Sequence, residues 1–335
     1  MPSVGIVVGG ELRGLPALAR MAEEAGYESV WVAETARSAF VQATLVCQAT
    51  ERITVGTAVA LAFPRSPAIT AMAARDLAEL SGGRFVLGLG SQVKRVNEQR
   101  FSVPFEHPAD KMAETVEAIR VVLDAFDGKP PEHRGRFYTI TMPPFPGADP
   151  APGRVPIYLA AVNERMAEAA GRVADGISGH PMTSPRWVAE VLRPAIERGA
   201  ESVGRDPSEI NVTTNLIVQV DQDREVARRE AALQLGFYAT TRTYAPVLAL
   251  HGFEDRVGAL RKAFARGDTV EMTEIALPMV DTLAVAGTPD EARERVAAYD
   301  GVADRLILGS AWVGPSPERQ RESYELLLET FAPGR

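Results

Sequence analysis

The residues able to do chemistry in this 335-residue chain gather where short apolar runs stop. The run 29–33 (SVWVA) stops at Glu34, Thr35, Ala36 and Arg37, which puts an acid, a hydroxyl and a base within four residues. That set suits proton transfer beside a reacting carbon, and it equally suits a surface ion pair. The run 85–89 stops at Gly90, Ser91, Gln92, Val93, Lys94 and Arg95, which offers donors for a carbonyl-rich ring or an anionic tail. A solvated loop would carry the same charges. The run 155–160 leads into Ala161, Val162 and Asn163 and opens a helical stretch with Arg165 and Met166 in its first turn, where unpaired amides favour an anion. The run 175–178 is followed by Gly179, His180, Pro181, Met182, Thr183 and Ser184, hydroxyls that helix capping alone would also explain. By contrast, the run 53–59 continues into Ala60, Leu61, Ala62 and Phe63, which is unusually apolar for a loop and suits either a flat ring or a core extension.

Several chemistries find no support. The segment GLGSQV at 88–93 has valine where a dinucleotide fingerprint needs its third glycine, and it follows a fourth apolar run rather than a first. His107, His133, His180 and His251 are far apart in sequence and lack metal-ligand spacing. Cys47 is the only cysteine, so no intrachain disulfide forms, and it reads as a small buried helix residue. A net charge of -8, from 36 basic and 44 acidic residues, argues against a general nucleic-acid grip. No apolar run reaches the roughly 18–20 residues of a membrane span, and the first residues lack a basic secretory segment, so a cytoplasmic protein without a membrane role is expected.

The elements that must position these residues alternate. Apolar runs at 4–8, 29–33, 53–59, 85–89, 155–160, 175–178, 210–220 and 305–309 each precede a stretch with helical periodicity. Eight such units predict a (β/α)8 TIM barrel of the α/β class, built as a single domain over 1–335. Two segments exceed what the pattern needs. The proline- and glycine-rich stretch 128–156 reads as a long decorated loop, and residues 238–286 read as a helical insertion. A barrel enzyme presents its chemistry at the C-terminal ends of its strands, which is where the candidate residues fall.

The motifs SVWVAE at 29–34, ITVGTAV at 53–59, LAELSGGRFVLGLGSQ at 77–92, VPIYLAA at 155–161, AGRVADGIS at 170–178 and LAVAGTPDEARERV at 283–296 run nearly end to end. In their order and spacing the chain resembles the bacterial-luciferase-like superfamily, and within it the coenzyme F420-dependent oxidoreductases of actinobacteria. The resemblance implies a luciferase-like barrel with insertions and a non-prolyl cis peptide at Ala58-Val59, whose second residue backs the central ring of the cofactor, with Leu61 in the same apolar segment. It further implies that Glu34 is an acidic cofactor contact and that Ser91 and Gln92 touch the ring system. Val162, Asn163, Arg165 and Met166 then hold the ribityl and phosphate portion, and His180 adds a contact from the sixth strand. Where the sugar-phosphate dehydrogenase branch has a catalytic histidine and glutamate, this chain has Thr35 and Val93, which argues against oxidation of glucose 6-phosphate. Glu34, Thr35 and Arg95 remain the catalytic candidates, with Arg37 and Lys94 nearby. The implied activity is hydride transfer between F420 and a small organic substrate. The alternatives are an FMNH2-dependent two-component monooxygenase and a non-catalytic F420- or flavin-binding barrel. A homodimer and a separate cofactor reductase are the partners the resemblance implies.

Overall fold

A computed structural model describes residues 2–144 and 152–333. Eight strands form the barrel: β1 (Ser3–Val7), β2 (Ser29–Val32), β3 (Thr54–Thr57), β4 (Phe85–Gly90), β5 (Ile157–Ala161), β6 (Gly176–Gly179), β7 (Asn211–Val220) and β8 (Arg305–Gly309). Each pairs in parallel with the next, and β8 closes onto β1 with Ser3 opposite Arg305 and Ile6 opposite Leu308. Every residue of β2, β4 and β6 is buried, as expected where a parallel sheet is covered on both faces.

The crossovers are α1 (Leu15–Glu24), α2 (Ala39–Ala49), α3 (Pro67–Leu80), α4 (Pro108–Phe126), α5 (Glu164–Val173), α6 (Arg193–Glu201) and α7 (Arg224–Ala239), with α8 (Pro317–Phe331) following β8. Their starts are written locally: Ser66 accepts from the Ile69 amide with Pro67 in the first turn, and Ser316 accepts from the Arg319 amide with Pro317 in the first turn. Cys47 lies buried in α2, and burial pushes its thiol pKa up to about 11, so it packs as a small apolar residue.

The main core lies between strands and helices, and a second, smaller cluster fills the barrel itself. Trp31, Val86, Tyr158 and Ile307 meet inside it, with the Trp31 and Tyr158 rings 6.2 Å apart. Room for Trp31 comes from Gly56, where a Cβ would lie 2.2 Å from the indole. Arg305 sits 5.9 Å from the same indole and pairs with Glu28 at 2.8 Å. Large side chains thus plug the barrel, and the C-terminal face is left for chemistry.

The structure corrects three local expectations. The polar loop after β4 contains a helix, Lys94–Arg100. The single helix expected over 184–202 is three pieces: Pro185–Trp187, a π-turn at Val188–Leu192, and α6. Pro194 has no amide and would crowd the carbonyl four residues back, and the wider turn before it carries the Arg193 amide to the Val188 carbonyl. The insertion also differs. Tyr238 and Ala239 finish α7, and the segment ends in a strand, Val285–Gly287, that pairs with Val218–Val220 of β7. Between them lie short helices at Ala245–Leu250, Arg256–Arg266, Thr269–Ala276 and Val280–Leu283.

Within the long loop, residues 133–134 and 139–140 form a two-stranded ribbon, and residues 145–151 lie outside the described residues. Glu114 of α4 anchors the ribbon's turn by accepting from the amides of Arg136, Phe137 and Tyr138 at 2.7–2.9 Å. Burial opposes its ionisation, but those amides and His133 prevail and hold its pKa below the ordinary range.

Candidate active site at the C-terminal face

One side of the mouth is built from main chain. The Ala58-Val59 peptide is cis. Hydrogen bonds from β2 and from Glu34 bracket the segment: the Ala58 amide donates to the Val32 carbonyl at 2.8 Å and the Glu34 amide to the Val59 carbonyl at 3.0 Å. Beyond it Ala60 and Leu61 pair with Leu89 and Gly90 of β4. The two glycines of β4 permit this closeness. A Cβ at Gly88 would lie 1.9 Å from the Thr57 carbonyl oxygen, and one at Gly90 would lie 2.4 Å from Cγ2 of Val59. Thr57 fixes the junction by donating to the Gly88 carbonyl at 2.7 Å and accepting its amide at 2.9 Å. The glycines therefore serve strand packing and leave an apolar wall of half-buried Ala58 and Val59 with buried Leu61 beside them.

Glu34 sits beside that wall with its carboxylate already occupied. It accepts from the Leu61 amide at 2.8 Å, from the Ala39 amide at 3.3 Å and from both terminal nitrogens of Arg65 at 2.5 and 2.7 Å, with its side chain only 8% exposed. The arrangement makes Glu34 a strut between the ends of β2 and β3. Arg65, which sequence reasoning missed, completes it and also lies 5.1 Å from the Phe40 ring. Thr35 and Arg37 are exposed at the rim.

Ser91 and Gln92 turn the chain away from β4. Gln92 adopts a left-handed conformation (φ 57°), and its side-chain oxygen accepts the Val93 amide at 2.9 Å. Ser91 donates to the Gln92 carbonyl at 3.2 Å. A second missed residue, the fully buried Asn97, holds the turn by donating to the carbonyls of Ser91 and Val93. Lys94 and Arg95 lie exposed on the short helix, 3.7 Å from Glu98 and 3.0 Å from Gln99 respectively. That is the ordinary pairing of residues four apart on a helix.

The opposite side of the mouth is built from side chains. Asn163 precedes α5, and the amides of Glu164 and Arg165 behind it have no acceptor among the described residues. Trp187 donates to the Val162 carbonyl at 3.1 Å, while Asn163 donates to the Thr243 carbonyl at 3.1 Å and so ties the strand end to the insertion. Arg165 is exposed in the first turn and Met166 packs on the core. The buried oxygens Asn163 Oδ1 and Thr183 Oγ1 have no partner. They are two of nine such buried side-chain atoms among the described residues.

His180 follows the last residue of β6. Its Nδ1 accepts the Met182 amide at 3.0 Å and its Nε2 lies 2.7 Å from the Tyr244 hydroxyl. The ring stacks on Tyr244 at 4.4 Å and meets Tyr238 edge-on at 4.8 Å, and burial drives its pKa from 6.5 to about 3. Tyr238 and Tyr244 come from the end of α7 and from the insertion, and both escaped sequence reasoning. Trp312, beyond β8, donates to the Tyr238 hydroxyl at 3.3 Å, and its own amide is held by Gln234 at 3.0 Å. Among the described residues no group of three or more His, Cys, Asp or Glu side chains forms a metal site, and no helix is long and apolar enough to cross a membrane.

An apolar wall on one side, and free amides with orphaned oxygens on the other, fit a ring cofactor with a polar, anionic chain. The chain is 38% identical over 293 residues to an uncharacterised protein of Mycobacterium tuberculosis, covering 85% of this chain and 86% of that one. It is 30% identical over 313 residues to the 5,10-methylenetetrahydromethanopterin reductase of Methanolobus tindarius, covering 90% and 91%. The solved structure of the coenzyme F420-dependent tetrahydromethanopterin reductase of Methanopyrus kandleri superposes with a TM-score of 0.83 at 21% identity, over 98% of both chains. A family profile described as luciferase-like monooxygenase matches residues 2–305, and the chain belongs to that family of oxidoreductases.

Proposed function

We propose that this protein is an F420-dependent oxidoreductase acting on a small organic substrate. The observation that carries the reading is the close packing of Val59 on Gly90 in an apolar wall at one side of the mouth, with free helix amides and unpaired buried oxygens at the other. The reductase relatives, together with the solved F420-dependent tetrahydromethanopterin reductase that shares the fold, favour the deazaflavin over FMN. F420, when bound and reduced, supplies a hydride. The chain's own part is to back the ring with Ala58, Val59 and Leu61, to hold the chain portion with the amides of Glu164 and Arg165 and with Asn163, and to exclude water with Tyr238, Tyr244 and Trp312. Thr35, the exposed hydroxyl that follows Glu34, serves as a proton-carrying candidate, while Glu34 and Arg65 position the wall.

Anaerobic incubation with reduced F420 and a panel of ketones, enones and imines tests the reading: oxidation of F420 tied to one substrate class supports it. Oxygen uptake with FMNH2 and no reaction with F420 points to the monooxygenase, and binding of either cofactor without turnover across the panel points to a non-catalytic barrel.

A further inference from the structure

The hydrogen bonds around His180 leave only one arrangement of protons. The Met182 amide aims at Nδ1 from 3.0 Å, so Nδ1 carries the lone pair. A neutral imidazole then bears its proton on Nε2, which faces the Tyr244 hydroxyl at 2.7 Å. Nε2–H must donate and the Tyr244 oxygen must accept. The hydroxyl's own proton points elsewhere, and among the described residues it has no acceptor. The stack of the two rings at 4.4 Å and the edge contact of Tyr238 hold this geometry from both sides. The proton of a hydroxyl held this way is available to a further partner.

The insertion places that donor over the polar half of the mouth. Thr243, one residue before Tyr244, receives the Asn163 side chain, and Asn163 begins the helix whose first amides are free. Asn163 Oδ1 and Thr183 Oγ1, three residues beyond His180, are buried oxygens without partners. We infer that Tyr244 is a cofactor-binding residue supplied by the insertion, donating its hydroxyl proton to an oxygen of the cofactor's chain, with His180 as the positioning residue that keeps it a donor. The inference rests on the cofactor site proposed above and adds to it a role for the insertion. It also separates His180 from direct chemistry, since both of its ring nitrogens are used inside the protein.

The test titrates wild type, Tyr244→Phe and His180→Gln with oxidised F420, followed by cofactor fluorescence, and with FMN in parallel. Tyr244→Phe removes one donor and keeps the ring stack, so its affinity falls about tenfold or more while its melting temperature stays within a few degrees of wild type. His180→Gln keeps a side-chain N–H near the place of Nε2 and loses less affinity than Tyr244→Phe. A spectroscopic arm needs no cofactor: long-range proton–nitrogen spectra of histidine-labelled protein show His180 as the Nε2–H tautomer, without titration between about pH 5 and about pH 8. Equal affinity of Tyr244→Phe and wild type overturns the inference, as does an Nδ1–H tautomer at His180. If the wild type binds FMN and not F420, the function proposed above fails while the FMN arm still decides the role of Tyr244. Binding of neither cofactor overturns both.

Discussion

The two sides of the barrel mouth are made of different material. On the β2–β4 side, main chain meets main chain: Thr57 against Gly88, Val59 against Gly90, and a single ion pair, Glu34 with Arg65, holding the strand ends together. On the β5–β8 side, side chains from four separate segments converge, namely His180, Tyr238, Tyr244 and Trp312, and buried oxygens are left without partners. The first side is nearly complete without a ligand, with Asn97 Oδ1 unpaired there, and the second leaves both Asn163 Oδ1 and Thr183 Oγ1 unpaired. A surface that only has to be flat can be finished during folding, whereas a surface that must grip polar atoms keeps groups unsatisfied until those atoms arrive.

This contrast can be broken from either side. The largest effect belongs to Gly88→Ala, because a Cβ 1.9 Å from a main-chain oxygen can be relieved only by moving β3 within a closed barrel. A loss of about 4 kcal/mol or more is expected in chemical denaturation, and a loss under about 1 kcal/mol would show the wall to be softer than described. Arg65→Met ranks next. It strands the Glu34 carboxylate in a largely buried place, at a cost of about 3 kcal/mol, and adding Glu34→Gln in the same chain should recover much of that loss. If Glu34 were instead a free acid at the mouth, the single substitution would leave stability nearly unchanged.

On the other side, His180 makes stability depend on pH. Its native pKa is pushed from 6.5 to about 3 by burial, so below about pH 6.5 the unfolded chain binds a proton that the native one does not. The stabilisation is fully present above that pH and is lost, at about 1.4 kcal/mol per pH unit, as the pH falls toward 3. The difference in unfolding free energy between wild type and His180→Gln, followed from about pH 7 to about pH 4, should carry that slope, and a flat difference would place the imidazole in water. The smallest effect is expected from Arg95→Ala. Arg95 pairs with Gln99 on an exposed helix face, so stability should stay within about 0.5 kcal/mol and cofactor affinity should not change.

What the sequence disclosed obeys the same division. The eight strands and the order of their ends were legible because each is a short apolar run bounded by a change of period, and the cis Ala58-Val59 bond came from motif resemblance. Glu34, Ser91, Asn163 and His180 do lie at strand ends around one face. Their partners were not legible. Arg65 lies 31 residues from Glu34 and Tyr244 lies 64 from His180, and no periodicity joins such pairs. The helix that carries Arg95 was missed for a local reason: the four-residue spacing Arg95 to Gln99 was a helix signal inside a segment too polar to be taken for one. The insertion showed its helical content but not that it carries Tyr244 back onto the barrel, because tertiary placement of a short turn is set by contacts the turn itself does not encode.

The most direct test of the cofactor site is an equilibrium titration of the purified protein with F420 and with FMN, each oxidised and reduced. Saturable binding of F420, weakened in Tyr244→Phe and unchanged in Arg95→Ala, is the predicted result. Saturable binding of FMNH2 with no measurable affinity for F420 would contradict it.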